Sequence, residues 1–382
     1  MMSAAPTSSA SGRRRRRRGE GRTQGFAVGR DGTPLYYRVA GQLEGGLRPL
    51  CFADGIGCDG FVWKYLEPAL AADRAIIHFH YRGHGKTPLP RDPNRITIAD
   101  CADDLVAVLD AAADNVEDWD EDGVPAPFEK VWIAGHSMGV QVALETYRRH
   151  RARVAGLILV CGAYGTPLRT FKGSRLLEDI LPAMRLAVHL VPRAVGAFWK
   201  AALPTEMAYK IATLTEINGQ LIRPEDFYPY LQHMANVDVR LFVDMLAAAG
   251  RHTARELLPT VDVPTLIVAG DRDGFTPMSL SEEMHSLVPG SRLLVVKGGS
   301  HTAPIERPDE VTEAVASFVR EHGWERCQAL PYAYRDFDRG IRIPPAARRA
   351  YRELGEAAAR FGDPFRTTGG HGFFAWLTEV VT

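Results

Sequence analysis

Short apolar runs alternate with segments of helical periodicity from Leu50 to Arg320, and no other feature restricts the fold of this chain so tightly. Eight runs read as strands: Gly25 to Arg30, Leu35 to Ala40, Leu50 to Ala53, Arg74 to Tyr81, Lys130 to Ala134, Ala155 to Cys161, Pro264 to Ala269 and Arg292 to Val296. The first two meet at Asp31-Gly32, a hairpin turn pair. Helices are expected over Phe61 to Ala71, Ile96 to Ala112, Leu280 to Leu287 and Pro308 to Arg320, and another from Val140 onwards. Parallel neighbours need crossover connections, so this alternation implies an α/β fold. Its sheet is expected to be mostly parallel and eight-stranded, covered by helices on both faces.

The rhythm divides the chain. Residues 25–164 and 261–323 carry it and form the expected core. Residues 165–260 hold helical patterns and no convincing strand, which reads as a helical lid inserted between later strands, over the sheet's C-terminal edge where ligands sit. Asn115 to Glu129 is acidic and contains proline, and is expected to be a surface loop. Residues 1–24 include six consecutive arginines, Arg13 to Arg18. Like charges in a block repel and cannot bury, so a disordered, solvated tail is expected, with weak contact to an anionic surface as the alternative. No apolar stretch follows the arginines, which argues against a secretory signal. Residues 324–382 lie outside the rhythm. Ala347, Tyr351, Leu354, Ala358 and Phe361 fall at helical spacing there, and Gly372 to Leu377 is apolar enough to dock, more readily on its own domain than on a membrane.

Charge and cysteine content exclude some classes. Lysine plus arginine equal aspartate plus glutamate at 46 each, so no global field favours nucleic acid. The five cysteines, Cys51, Cys58, Cys101, Cys161 and Cys327, are scattered without metal-ligand or disulfide-framework spacing. A reducing, cytoplasmic setting is expected, with no cofactor and no metal. No run of 18 uncharged apolar residues exists, so no membrane span is expected.

The strand from Lys130 runs directly into Gly135-His136-Ser137-Met138-Gly139 and then into a good helix former. A serine between strand and helix needs a tight turn, and flanking glycines remove the Cβ atoms that would clash. The turn lifts the Ser137 hydroxyl clear of the sheet and aims the first helical amides beside it. A serine hydroxyl attacks only if a base takes its proton and a third group holds that base. An acid and then a histidine should follow at later strand ends. Gly270-Asp271-Arg272-Asp273 and Gly298-Gly299-Ser300-His301 supply them. Asp273 is favoured over Asp271 because it sits three past Gly270, near the turn residues Gly274 and Pro277. His136 neighbours the nucleophile, but its side chain should point away. For the developing oxyanion, the expected donors are the Met138 amide and the Ile56 amide in Gly55-Ile56-Gly57.

Together these residues resemble the α/β-hydrolase family over about residues 25–323. The resemblance rests on Gly135-His136-Ser137-Met138-Gly139, Arg82-Gly83-His84-Gly85-Lys86-Thr87, Gly270-x-x-Asp273 and Gly299-Ser300-His301. It implies Ser137 as nucleophile, Asp273 as acid and His301 as base. One departure stands out: Asp54-Gly55 occupies the oxyanion loop where the family commonly has His-Gly. A carboxylate beside an oxyanion is unfavourable unless it points away or is hydrogen-bonded.

A serine nucleophile implies acyl transfer through an acyl-enzyme, since family members that open epoxides or haloalkanes attack with an aspartate. The residue 165–260 segment is heavily apolar, with most such side chains expected to pack on the core and the aggregate favouring an apolar acyl or alkyl group. Carboxylic ester hydrolysis of a small molecule is the leading expectation. A carbon–carbon bond hydrolase, lactonase, perhydrolase or acyltransferase would use the same three residues. A non-catalytic binding or scaffold member is the rival from another class, and oligomeric state stays open.

Overall fold

A computed structural model describes residues 23–42, 47–117 and 127–322. The chain divides into two units by contact, Met1–Asn115 with Ala126–Cys327, and Val116–Pro125 with Gln328–Thr382. Everything below concerns the first unit, apart from the last two residues of one helix. The second lies otherwise outside the described residues, as do the arginine run and Cys327.

Eight strands form one sheet: β1 (Thr23–Val28), β2 (Pro34–Gly41), β3 (Leu50–Ala53), β4 (Ala75–Phe79), β5 (Val131–His136), β6 (Val154–Val160), β7 (Thr265–Gly270) and β8 (Arg292–Val296). Their order is β1-β2-β4-β3-β5-β6-β7-β8. β2 pairs antiparallel with β1 and β4, and every later pairing is parallel. β4, β5, β6 and β7 are buried along nearly their whole length, as strands covered on both faces must be. The expected α/β class and strand set hold, with strand ends shifted by at most two residues.

The covering helices are α1 (Leu66–Ala71), α2 (Ile98–Glu117) and α3 (Met138–Arg149), then α4 (Leu176–Leu190), α5 (Pro192–Ala202), α6 (Glu206–Thr215), α7 (Pro224–Met234) and α8 (Val239–Arg251). After β7 come α9 (Met278–Leu287), α10 (Ala303–Glu306) and α11 (Pro308–His322). α4 to α8 fill the stretch between β6 and β7, in agreement with the absence of strand patterning there.

Two expectations need correction. Phe61 to Ala71 is not one helix: a 3₁₀ turn at Phe61–Trp63 precedes α1. Phe61 and Trp63 are two apart, a spacing that no single α-helical face accommodates, and the tighter turn lets Val62 and Trp63 both bury. The acidic segment also begins later than expected, because α2 runs on to Glu117. Most large apolar side chains between β6 and β7 pack inward as expected, Leu181, Phe227, Leu231, Met234, Val243 and Leu246 among them, while a minority on α4, α5 and α6 do not. Ile180, Leu186, Leu190, Val191, Phe198 and Met207 are exposed.

Candidate active site

β3, β5, β6, β7 and β8 are successive neighbours, so the loops leaving their C-terminal ends converge on one edge of the sheet. Four of those loops carry the residues singled out above.

Ser137 directly follows β5 and caps α3 with φ 56° and ψ −118°. A non-glycine residue held there costs about 1–3 kcal/mol, which the surrounding packing must offset. The packing is tight. A Cβ on Gly135 would lie 2.2 Å from the Gly139 carbonyl oxygen, and one on Gly139 only 2.0 Å from that of Ala53. Only glycine fits at either place, so the two flanking glycines answer to steric contact and not merely to turn preference.

His301 reaches Ser137 from the loop after β8, its Nε2 2.9 Å from the serine Oγ. Its Nδ1 lies 2.9 Å from Asp273 Oδ2 in the loop after β7. A carboxylate only accepts, so the imidazole proton sits on Nδ1 and Nε2 is left to accept from the serine hydroxyl. Asp273 is buried and fixed independently of the histidine: it accepts from the Phe275 and Thr276 amides, both at 2.8 Å, and from the Thr276 hydroxyl at 2.8 Å. Burial opposes its charge, but His301 and the Thr276 donors outweigh that and hold its pKa below the ordinary carboxylate value. Burial likewise disfavours the His301 imidazolium. Asp273 above all, with Glu216 and Glu306, overcomes it and raises the histidine above its ordinary value.

Asp271, the rival acid, faces elsewhere. Its Oδ1 accepts the Gly298 amide at 2.7 Å and its Oδ2 lies 3.6 Å from Lys297 Nζ. It braces the turn after β8. His136 makes no bond to the serine hydroxyl; its Nε2 donates to the His301 carbonyl at 2.8 Å. Burial, with His301 next, depresses its pKa to about 4, so it is neutral at pH 7.

The loop after β3 supplies the other side. Asp54 is turned inward, accepting from Trp63 Nε1 at 2.6 Å and from His78 Nε2 at 2.8 Å. Burial would raise its pKa, yet His78 and Trp63 together hold it below the ordinary value. An unpaired buried carboxylate would cost several kcal/mol, at least ~3, and this one has two donors instead. The condition set by the sequence, a carboxylate directed away and hydrogen-bonded, is met. Next along the loop, the Gly57 amide donates to His84 Nε2 at 3.0 Å, while His84 Nδ1 donates to the Arg82 carbonyl at 2.9 Å. Burial keeps His84 neutral, at a pKa of about 4, which preserves that donor–acceptor polarity. Arg82 in turn bonds Asp104 at 2.6 and 2.7 Å and lies 2.8 Å from Asp31. The Arg82-to-Thr87 turn is therefore a brace for the loop carrying Ile56. With Gly57 engaged, the Ile56 amide has no acceptor among the described residues. The Met138 amide, first in α3, has none within its helix.

Sequence reasoning missed one residue altogether. Buried Glu306 accepts from the Ser300 and Asn218 amides, both at 2.6 Å, and from the Ser300 and Thr302 hydroxyls. It ties the turn bearing His301 to the start of the α6–α7 connection, where the Glu216 carbonyl accepts the His301 amide at 3.2 Å. Three of its donors are local, on Ser300 and Thr302, but the fourth, the Asn218 amide, comes from a separate loop that no sequence spacing connects to it. Among the described residues, no group of three or more histidine, cysteine, aspartate or glutamate side chains could hold a metal ion.

The sequence profile described as the alpha/beta hydrolase family matches residues 52–314. A protein of Azorhizobium caulinodans provisionally named carbamate hydrolase RutD is 29% identical over 300 residues, covering 78% of this chain and 98% of that protein. The pimeloyl-acyl-carrier-protein methyl ester esterase of Neisseria meningitidis serogroup B is 28% identical over 270 residues, covering 69% of this chain and 90% of the esterase. Among solved structures, an esterase from Thermogutta terrifontis matches with a TM-score of 0.59 at 22% identity, over 79% of this chain and 99% of that one. That last likeness is one of fold.

Proposed function

The chain belongs to the alpha/beta hydrolase family and is a hydrolase; from that premise we propose that it cleaves a carboxylic ester carrying an apolar acyl or alkyl group, through an acyl-enzyme on Ser137. The observation that carries this reading is the unbroken line of hydrogen bonds from the Ser137 hydroxyl through His301 to buried Asp273. In the proposed reaction Ser137 Oγ attacks the ester carbonyl while His301 Nε2 takes its proton. The tetrahedral oxyanion is met by the Ile56 and Met138 amides, which have no competing acceptor. Collapse expels the alcohol, protonated by His301, and leaves the acyl group on Ser137. Water, deprotonated by the same imidazole, then releases the acid and restores the serine. Asp273 holds the imidazole's orientation and stabilises its charged form.

Two relatives favour acyl carbon as the point of attack: one is named for a carbamate and the other for a methyl ester. The helical segment between β6 and β7 acts in this reading as a lid. Trp199, Met234 and Phe242 are among its apolar residues, and Met234 and Phe242 pack beside Gly57 of the oxyanion loop. Hydrolysis of a p-nitrophenyl ester series tests the proposal. Wild type should turn over the esters, and Ser137→Ala should lose at least ~10⁴-fold in kcat/KM. Equal rates for the two proteins would remove Ser137 from the chemistry.

A further inference from the structure

Three consecutive helices turn apolar stripes outward. On α4, Leu176, Ile180, Ala183, Ala187 and Leu190 follow one another at helical spacing and are all exposed. On α6, Met207, Ile211 and Leu214 do the same. Between them α5 presents Phe198, 73% exposed, flanked by exposed Ala194 and Ala201. Scattered exposed apolar residues need no explanation, but stripes repeated at helical spacing on successive helices mark a surface that something covers.

Charge identifies what. Residues 169–215 contain seven lysines and arginines against three acids, in a chain that is neutral overall; Arg169, Arg175, Arg185 and Lys210 are paired with Glu178, Asp244 and Glu206. Arg193 and Lys200, both on α5, form no ion pair among the described residues. With Trp199 and residues Val237–Arg240 at the start of α8 they line a groove of about 400 Å³ beside the exposed Phe198. A second copy of this surface would oppose like charge with like charge. No single described helix is long and apolar enough to cross a membrane, while α4 and α5 reach that apolarity only as a pair bent by 107°. A bent pair with one outward apolar stripe is suited to lie in an interface and not to span it.

We propose that the outer face of α4, α5 and α6 docks on an anionic phospholipid surface, its apolar stripes entering the acyl boundary and Arg193 and Lys200 meeting lipid phosphates. The inference is independent of the Ser137 reading, because none of these residues touches Ser137, His301 or Asp273. The test is co-sedimentation of the full chain with phosphatidylcholine vesicles, with and without phosphatidylglycerol. Wild type should bind the phosphatidylglycerol vesicles. Leu176→Ser, Phe198→Ser and Leu214→Ser combined should cut partitioning at least ~tenfold with an unchanged circular dichroism spectrum. Arg193→Gln with Lys200→Gln should cut it several-fold on anionic vesicles only. Both variants keep the arginine run, so any contribution from it cancels. The proposal is overturned if wild type ignores the anionic vesicles or if the triple variant partitions like wild type. It is overturned equally if wild type sediments as a dimer that the triple variant breaks and vesicles do not.

Discussion

Asp271 and Asp273 stand two positions apart at the end of one strand, yet only one carboxylate meets the imidazole. Their placement explains why sequence could favour Asp273 without excluding its neighbour: both follow Gly270 and both meet the loop after β8, but the turn fixed by Thr276 brings only Asp273 to His301. Asp273→Asn should lower ester turnover by about 10⁴-fold, since an amide can offer its N–H to the imidazole and favour the wrong tautomer. Asp271→Asn should change turnover little. The reverse result would move the acid to Asp271. The same pairing sets a pH dependence. His301 works as a base only when neutral, and its pKa is raised above the ordinary 6.5. Activity should therefore fall as pH drops through an apparent pKa above 6.5 and be fully present well above it. An ascending limb of kcat/KM centred below that value would show that Asp273 is not charged beside it. Asp54 illustrates what was not legible. That a carboxylate there must be bonded followed from chemistry, but its partners Trp63 and His78 lie on a 3₁₀ turn and on β4, and no spacing rule connects them.

Elements were legible where turn residues bound a short apolar run, and less so where a helix carries more than one apolar face. β8 fell exactly on Arg292–Val296 because turn residues bound it on both sides. The stretch that holds α4 and α6 was recognisable as helical, but periodicity cannot say which of two apolar faces is the inner one. Most apolar side chains between β6 and β7 pack inward as expected, and the exposed minority lies on α4, α5 and α6. Between elements the decisive contacts are polar and non-local. Glu306, at the end of α10, joins the His301 turn to the α6–α7 connection through four donors. Leaving several buried donors without a partner at ~1–3 kcal/mol each, partly relieved by water, gives Glu306→Ala an expected stability loss of about 3 kcal/mol. Denaturant titration measures it, and kcat should drop more than KM rises, because the loop that positions His301 loosens. A loss within about 0.5 kcal/mol, the range of an ordinary surface substitution, would contradict that role.

Across the whole molecule, the order of motifs was the most informative property of the chain. A serine after β5, an acid after β7 and a histidine after β8 are far apart in sequence, and a parallel sheet returns them to one edge. The segments least like that pattern, the arginine run and residues 324–382, are also those outside the described residues. Among the described residues the thiols offer little competing nucleophilicity. Cys51, Cys58, Cys101 and Cys161 are all buried, and burial first of all raises each thiol above its ordinary value, so little reactive thiolate is present at neutral pH. Among the described residues, Ser137 alone should therefore react with a serine-directed fluorophosphonate. Site-resolved mass spectrometry after labelling puts the central claim to the test. The account predicts one phosphonyl group per molecule, on the peptide containing Ser137, and none on Ser137→Ala. A wild-type protein that stays unlabelled, or that carries the label on another residue, would contradict it.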